Sequence, residues 1–291
     1  MNRIIAIAVA LLFVQGCATT QPGSASMSNL VIAEPMHVNY KSEIALARLT
    51  EVIHRAEISD SQKAQLYYDR GVIYDSVGLR SLARLDFNRA LRLKPDLVEA
   101  YNFIGIHFTQ LQEFIQAYDA FDSTLELAPE HEYAYLNRGI ALYYGGRPAQ
   151  AVDDFIAFHQ YQQDDPYRLL WLFLAERENS LEVARQNLKE RAVHIAPNIW
   201  ARQVIRLYLG EIDRSTFIQN LTNGIDSNRA LTERLCEAYF YLGKLYLSEG
   251  RRAVAANYFK LALSTNVYEF VEHRYAQLEL DLMRDTVQLP R

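Results

Sequence analysis

The feature that most constrains this chain is a period. Gly71, Gly105 and Gly139 stand 34 residues apart, as do Ala83, Ala117 and Ala151, and Phe87, Phe121 and Phe155. Tyr67, Tyr101 and Tyr135 precede the three glycines by four residues each, and Pro95 and Pro129 close the first two units. Such a chain repeats one supersecondary unit, and each unit buries its apolar face against the next. Within a unit the tyrosine and the glycine share one helix face, and the glycine admits a second helix closely. The alanine of that second helix is the reciprocal small residue, and the phenylalanine four further on fills the space between units. Gly78 and Gly146 fall where a left-handed residue ends the first helix without a Cβ penalty. Pro148 opens a second helix, where its missing N–H costs nothing, and Ser59 with Gln62 forms a capping box ahead of the first.

This is the pattern of the tetratricopeptide repeat, with an aromatic in the usual tryptophan position. Three units occupy residues 64–97, 98–131 and 132–165. Tyr239, Leu242, Gly243, Tyr246, Gly250, Ala255, Phe259 and Ala262 repeat the pattern over 236–269. Gly139 to Gly243 is 104 residues, three periods plus two, so 166–235 has room for two degenerate units. Trp171, Leu174 and Ala175 look like the start of one, and 198–223 like a second helix pair. Amphipathic helices are expected at 41–55 and 271–283, covering the apolar ends of a solenoid. No alternating run bounded by turns predicts a strand. The expected fold is all-α: a tetratricopeptide-repeat superhelix over 41–285 with degenerate central pairs, terminal capping helices and a short tail at 286–291.

The N-terminus reads as an address. Arg3 is followed by an apolar run from Ile4 to Val14, about half the roughly 20 residues a membrane-spanning helix needs. The run ends at Val14-Gln15-Gly16-Cys17, which resembles the bacterial lipobox. Residues 1–16 are then a signal peptide and Cys17 the lipidated N-terminus, carrying diacylglycerol and a fatty acyl chain that together make a stable anchor. Ala18, rather than aspartate, follows the cysteine, which by resemblance to Gram-negative lipoproteins favours the outer membrane. Residues 17–40 read as a flexible tether. Cys236 is the other cysteine; beside Leu235 in a helical pattern it reads as a buried structural thiol.

Composition narrows the partners. A net charge of −5 gives no electrostatic reason to bind nucleic acid. In a solenoid of this kind the positions one and five after the repeat aromatic point into the concave groove. Here they are Tyr68 and Val72, Asn102 and Ile106, and Leu136 and Ile140, with Tyr143 and Tyr144 close by. A carboxylate clamp of lysines and asparagines is missing apart from Asn102. The groove is expected to be apolar and aromatic, suited to an extended peptide with apolar anchors. Tyr67, Tyr101 and Tyr135 are expected to pack repeat against repeat, while for Tyr68, Tyr143 and Tyr144 the sequence fits packing and partner contact equally.

Catalytic motifs are not found. His131-Glu132 has Tyr135 where a zinc-protease helix needs its second histidine, and Gly243-Lys244 is followed by Leu245 inside a repeat rather than by a phosphate-loop serine. The seven histidines lack metal-ligand spacing. Asp153-Asp154 and Asp164-Asp165 read as solvated surface. Glu272-His273-Arg274 is a polar cluster within the closing helix. No enzymatic role, metal or soluble cofactor is expected.

Lipobox, tether and repeats together resemble the NlpI family of proteobacterial outer-membrane lipoproteins. The resemblance is carried by Asp69-Arg70-Gly71-Val72-Ile73-Tyr74-Asp75-Ser76, by Asn137-Arg138-Gly139-Ile140-Ala141-Leu142-Tyr143-Tyr144-Gly145-Gly146-Arg147 and by Phe270-Val271-Glu272-His273-Arg274-Tyr275-Ala276. It covers most of 41–283 and is thinnest around 177–235. It implies a homodimeric, non-catalytic periplasmic adaptor that binds a carboxy-terminal processing protease and a murein endopeptidase, and gathers peptidoglycan enzymes into complexes. A tetratricopeptide lipoprotein serving type IV pilus or outer-membrane assembly would share the same anchor and repeats.

Overall fold

Helix pairs follow one another from end to end in the computed structural model, which describes residues 30–55 and 57–288. The signal segment, Cys17 and the tether as far as residue 29 lie outside the described residues, as does the end of the tail. Helix α1 (Tyr40–Arg55) precedes three regular pairs: α2 (Asp60–Ser76) with α3 (Arg80–Leu93), α4 (Val98–Gln110) with α5 (Phe114–Leu127), and α6 (Glu132–Tyr144) with α7 (Pro148–Tyr161). Then come α8 (Pro166–Asn179), α9 (Leu181–Arg191), α10 (Arg202–Leu209) and α11 (Arg214–Gln219). A last pair, α12 (Asn228–Ser248) and α13 (Arg252–Leu263), is followed by α14 (Val271–Gln288). Among the described residues there is no strand.

Local chemistry sets these boundaries. Ser59 Oγ accepts from the Gln62 N–H at 3.3 Å while Gln62 Oε1 accepts from the Ser59 N–H at 3.0 Å, closing the expected capping box. Gly78 and Gly146 end their helices at φ 81° and 76°, and Pro148 opens α7. Asp165, expected in solvent, instead caps α8 by accepting from the Tyr167 N–H at 2.8 Å.

The period becomes packing at one contact. Each repeat glycine faces the phenylalanine 16 residues on: a β-carbon at Gly105 would lie 2.6 Å from Phe121 Cε1, and the same ring blocks Gly71, Gly139 and Gly243. Only a residue without a side chain lets the paired helices approach so closely. The ring also reaches the next unit, with Phe87 stacked on Phe103 at 4.8 Å and 18°. In α8 the glycine's place in the period is taken by Phe173, which is buried, so this pair cannot close in the same way. The helices that follow are short, and α10 ends at Gly210 in the left-handed region.

One expectation about the tether is corrected. The tether was placed at 17–40, but residues 31–39 are held on the body. Asn228 accepts from the Glu34 N–H at 3.1 Å and donates to the Glu34 carbonyl at 3.0 Å; Thr232 donates to the same carbonyl, and the Met36 N–H to Thr265. An asparagine and a threonine one turn apart on α12 supply these bonds, a local pattern that composition does not reveal.

Candidate protein-interaction site

Two of the three regular pairs are built around an arginine–aspartate ion pair, fully buried in the first and partly buried in the third. Arg70 of α2 donates from Nε to Asp86 Oδ2 at 2.6 Å and from Nη2 to Asp86 Oδ1 at 2.9 Å. Two periods on, Arg138 makes the same two-pronged contact with Asp154 at 2.8 and 2.7 Å. Asp154 was expected in solvent; it is buried, because the helix flank that carries it faces α6 rather than water. The intervening unit has Ile104 and Ala120 at these positions, both buried. Arginine and aspartate at this spacing were legible in the sequence, but only once the period told which helices meet.

The inner curve is occupied by the chain's own last helix. Glu272, Tyr275, Ala276 and Glu279 recur at helical spacing along α14, and all four are buried. Tyr144 donates to Glu279 Oε1 at 2.9 Å and its ring stacks on Tyr275 at 5.5 Å. Lys244 of α12, buried, pairs with Glu279 and donates to Tyr143 Oη at 2.9 Å. Burial alone would lower the Lys244 pKa, but the facing Glu279 carboxylate raises it above its ordinary value. Farther along, Arg274 donates to Asp75 Oδ2 at 2.6 Å, and His107 Nε2 lies 2.8 Å from Asp75 Oδ1. Burial pushes Asp75 upward, but these two partners hold it below the usual carboxylate range.

The residues expected to line an open apolar groove are therefore placed differently. Asn102, Ile106, Leu136 and Ile140 are between 0% and 8% exposed, so the picture of these four as open surface is corrected. Asn102 spends its amide oxygen on a bond from Asn137 Nδ2 at 3.0 Å. Tyr143 and Tyr144 meet edge-on at 5.0 Å and give their hydroxyls to the Lys244–Glu279 pair. Tyr68 and Val72 are half-buried, and both pack against the cluster around Phe87. Two physical causes act: the repeats themselves bury Ile106 against Ala117, Phe121 and Ala141 and bond Asn102 to Asn137, while α14 engages Tyr144 directly and Tyr143 through Lys244. Sequence reasoning missed Lys244 and Glu279, whose chain separation hides their contact. Cys236 is buried, and burial pushes its thiol well up, away from the reactive thiolate. Glu272 accepts from Tyr241 Oη at 3.2 Å, and His273 lies 3.1 Å from the Leu263 carbonyl, so this polar cluster is tied into the core.

Accessible apolar surface lies elsewhere. Leu79, Leu82 and Leu85 of the α3 region and Ile115 of α5 are exposed, as are Ile44 and Val52 of α1. Among the described residues no group of three or more His, Cys, Asp and Glu is placed to hold a metal ion, and no helix is long and apolar enough to cross a membrane.

A family model described as tetratricopeptide repeat matches residues 64–97 and 237–266. Among solved structures, the chain is similar to a tetratricopeptide repeat protein from Parabacteroides merdae ATCC 43184, at 16% identity and a TM-score of 0.53, over 86% of this chain and 100% of that one. It is also similar to PilF of Pseudomonas aeruginosa, with 17% identity over 82% of this chain and 90% of that one, TM-score 0.45. MamA from Desulfovibrio magneticus RS-1 gives 16%, 71% and 96%, TM-score 0.43. Only the first of these bears on the fold. Repeat spacing, glycine–phenylalanine helix pairing and the matched segments together show the tetratricopeptide-repeat fold, an all-helical solenoid.

Proposed function

We propose that this chain is a lipid-anchored adaptor that holds other proteins together at the periplasmic face of the outer membrane and performs no bond-making itself. The observation that carries this is the solenoid: a rigid, repeat-built body with exposed apolar side chains on α1, α3 and α5, whose polar and aromatic interior groups are engaged with one another. Stacked helix pairs of this kind offer extended surfaces to protein partners. Exposed apolar residues grouped on neighbouring helices are what such a surface needs at its centre.

The anchor rests on Cys17 within Val14-Gln15-Gly16-Cys17, and the partners on the resemblance to the NlpI family. These partners are a carboxy-terminal processing protease, a murein endopeptidase and other peptidoglycan enzymes, with the chain itself forming a homodimer. Bringing protease and endopeptidase to one tethered body raises their effective concentration without new chemistry and so promotes degradation of the endopeptidase. Because α14 fills the inner curve, partners dock on the surface that α14 leaves open, and Tyr68, only half-buried, is the sequence-chosen residue best placed to take part. Affinity capture from envelope extracts, read by mass spectrometry, tests this reading. Recovery of the protease and the endopeptidase supports it; recovery of secretin or assembly subunits alone would show an assembly factor instead.

A further inference from the structure

One cavity is lined by two arginines that the direct ion pairs of the interior leave out. It measures about 260 Å³ and lies where α3, α4 and α14 meet. Arg80 and Arg84, one turn apart on α3, both line it. Among the described residues neither guanidinium has a carboxylate within ion-pair distance, although Arg80 is largely enclosed. The third cation on the wall, Arg274, is spent on Asp75. The one acidic wall residue, Asp281, accepts from Gln277 at 3.0 Å and contacts Arg284. Arg80 feels Asp75 only at a distance, so the wall presents two guanidinium groups without a direct counter-ion in a chain whose net charge is −5.

A donor beside the cavity also lacks a partner: Gln110 Nε2 is buried with no hydrogen bond. Unpaired buried donors are costly, and they are retained where something else satisfies them. Leu111 and Leu278 supply apolar wall beside the arginines. Guanidinium groups match carboxylate geometry and lose less hydration than an ammonium in doing so.

We propose that this cavity is a carboxylate-binding subsite, in which Arg80 and Arg84 take the carboxylate of a peptide segment whose apolar neighbour rests on Leu111. The carboxylate comes from a chain terminus or from an acidic side chain. The site differs from the apolar groove that the sequence suggested, since it lies on the second helix of the first unit and is completed by α14. It deepens the adaptor reading and rests on it.

The test is isothermal titration calorimetry on the full chain at low salt with three peptides: Ac-Ala-Ala-Gly-Ala-Leu with a free carboxylate, the same peptide amidated, and an amidated peptide with Glu in place of Gly. The free acid, the Glu peptide or both should bind at least about 10-fold tighter than the neutral amide, with the advantage shrinking as salt rises. Which of the two binds tells terminus from side chain. Arg80→Gln with Arg84→Gln should abolish the preference. In the wild-type chain, the guanidinium Nε–H signals of Arg80 and Arg84 should shift in NMR spectra with the acid and not the amide, a readout that does not depend on the variant folding. Equal binding of acid and amide, no binding of any peptide, or unmoved arginine signals would overturn the subsite. If envelope capture recovers partners while the peptides fail to discriminate, the subsite falls and the adaptor stands.

Discussion

Arg70 and Asp86 occupy positions that Ile104 and Ala120 fill one period later, so the molecule contains its own comparison between a buried ion pair and an apolar pair. Removing one member of a buried pair strands a charge and costs about 3–5 kcal/mol, whereas replacing both by apolar residues is often close to neutral. Asp86→Ala should therefore destabilise the protein by about that amount in urea unfolding, and adding Arg70→Ile should restore most of it. A double variant as unstable as the single would show that the second unit is not equivalent to the first. A second residue-scale expectation concerns pH. Burial pushes the carboxyl groups of Glu237 and Glu272 above their ordinary range, and the nearby Glu272 carboxylate raises Glu237 further. From about pH 4.3 upward the unfolded chain ionises these groups while the folded chain holds their protons, so stability falls as pH rises through that window. Glu237→Gln removes one ionising group. Its melting temperature should exceed that of the wild type by a few degrees at pH 8 and by clearly less at pH 5; equal differences at both would remove Glu237 from the account.

At the level of helices, the regular pairs were legible because their spacing is enforced by one contact, the glycine under its phenylalanine. Where Phe173 replaces that glycine, the pattern dissolves into short helices whose ends follow caps such as Asp213 and Gly210 rather than a period. The docking of α14 was hidden for a different reason. Its amphipathic stripe predicts a closing helix but not the surface it closes, since Glu279 finds Lys244 and Arg274 finds Asp75 only after the solenoid has curved. The four buried groove candidates were missed for a further reason, since contacts between successive repeats, such as Asn102 with Asn137, also consume them. Hydrogen exchange should show the amides of α14 protected as strongly as those of α12; early exchange of α14 would mean that it sits on the inner curve only part of the time. Glu279→Ala, which leaves Lys244 buried without its counter-ion, should cost about 3–5 kcal/mol.

For the whole molecule, the proposed anchor and scaffold make separable predictions. Cys17→Ala should release the chain from the membrane fraction and abolish palmitate labelling; label surviving the substitution would refute the lipobox reading. The scaffold makes a sharper one. A body that brings two clients together works best when the clients outnumber its sites, because excess scaffold holds protease and endopeptidase on separate copies. The most direct measurement is the rate at which the purified processing protease degrades the purified endopeptidase as this chain is titrated in. The rate should climb, peak near equivalence and decline at excess, with no turnover by the chain alone. A rate that is unaffected, or that rises to a plateau and stays there, would contradict a scaffold.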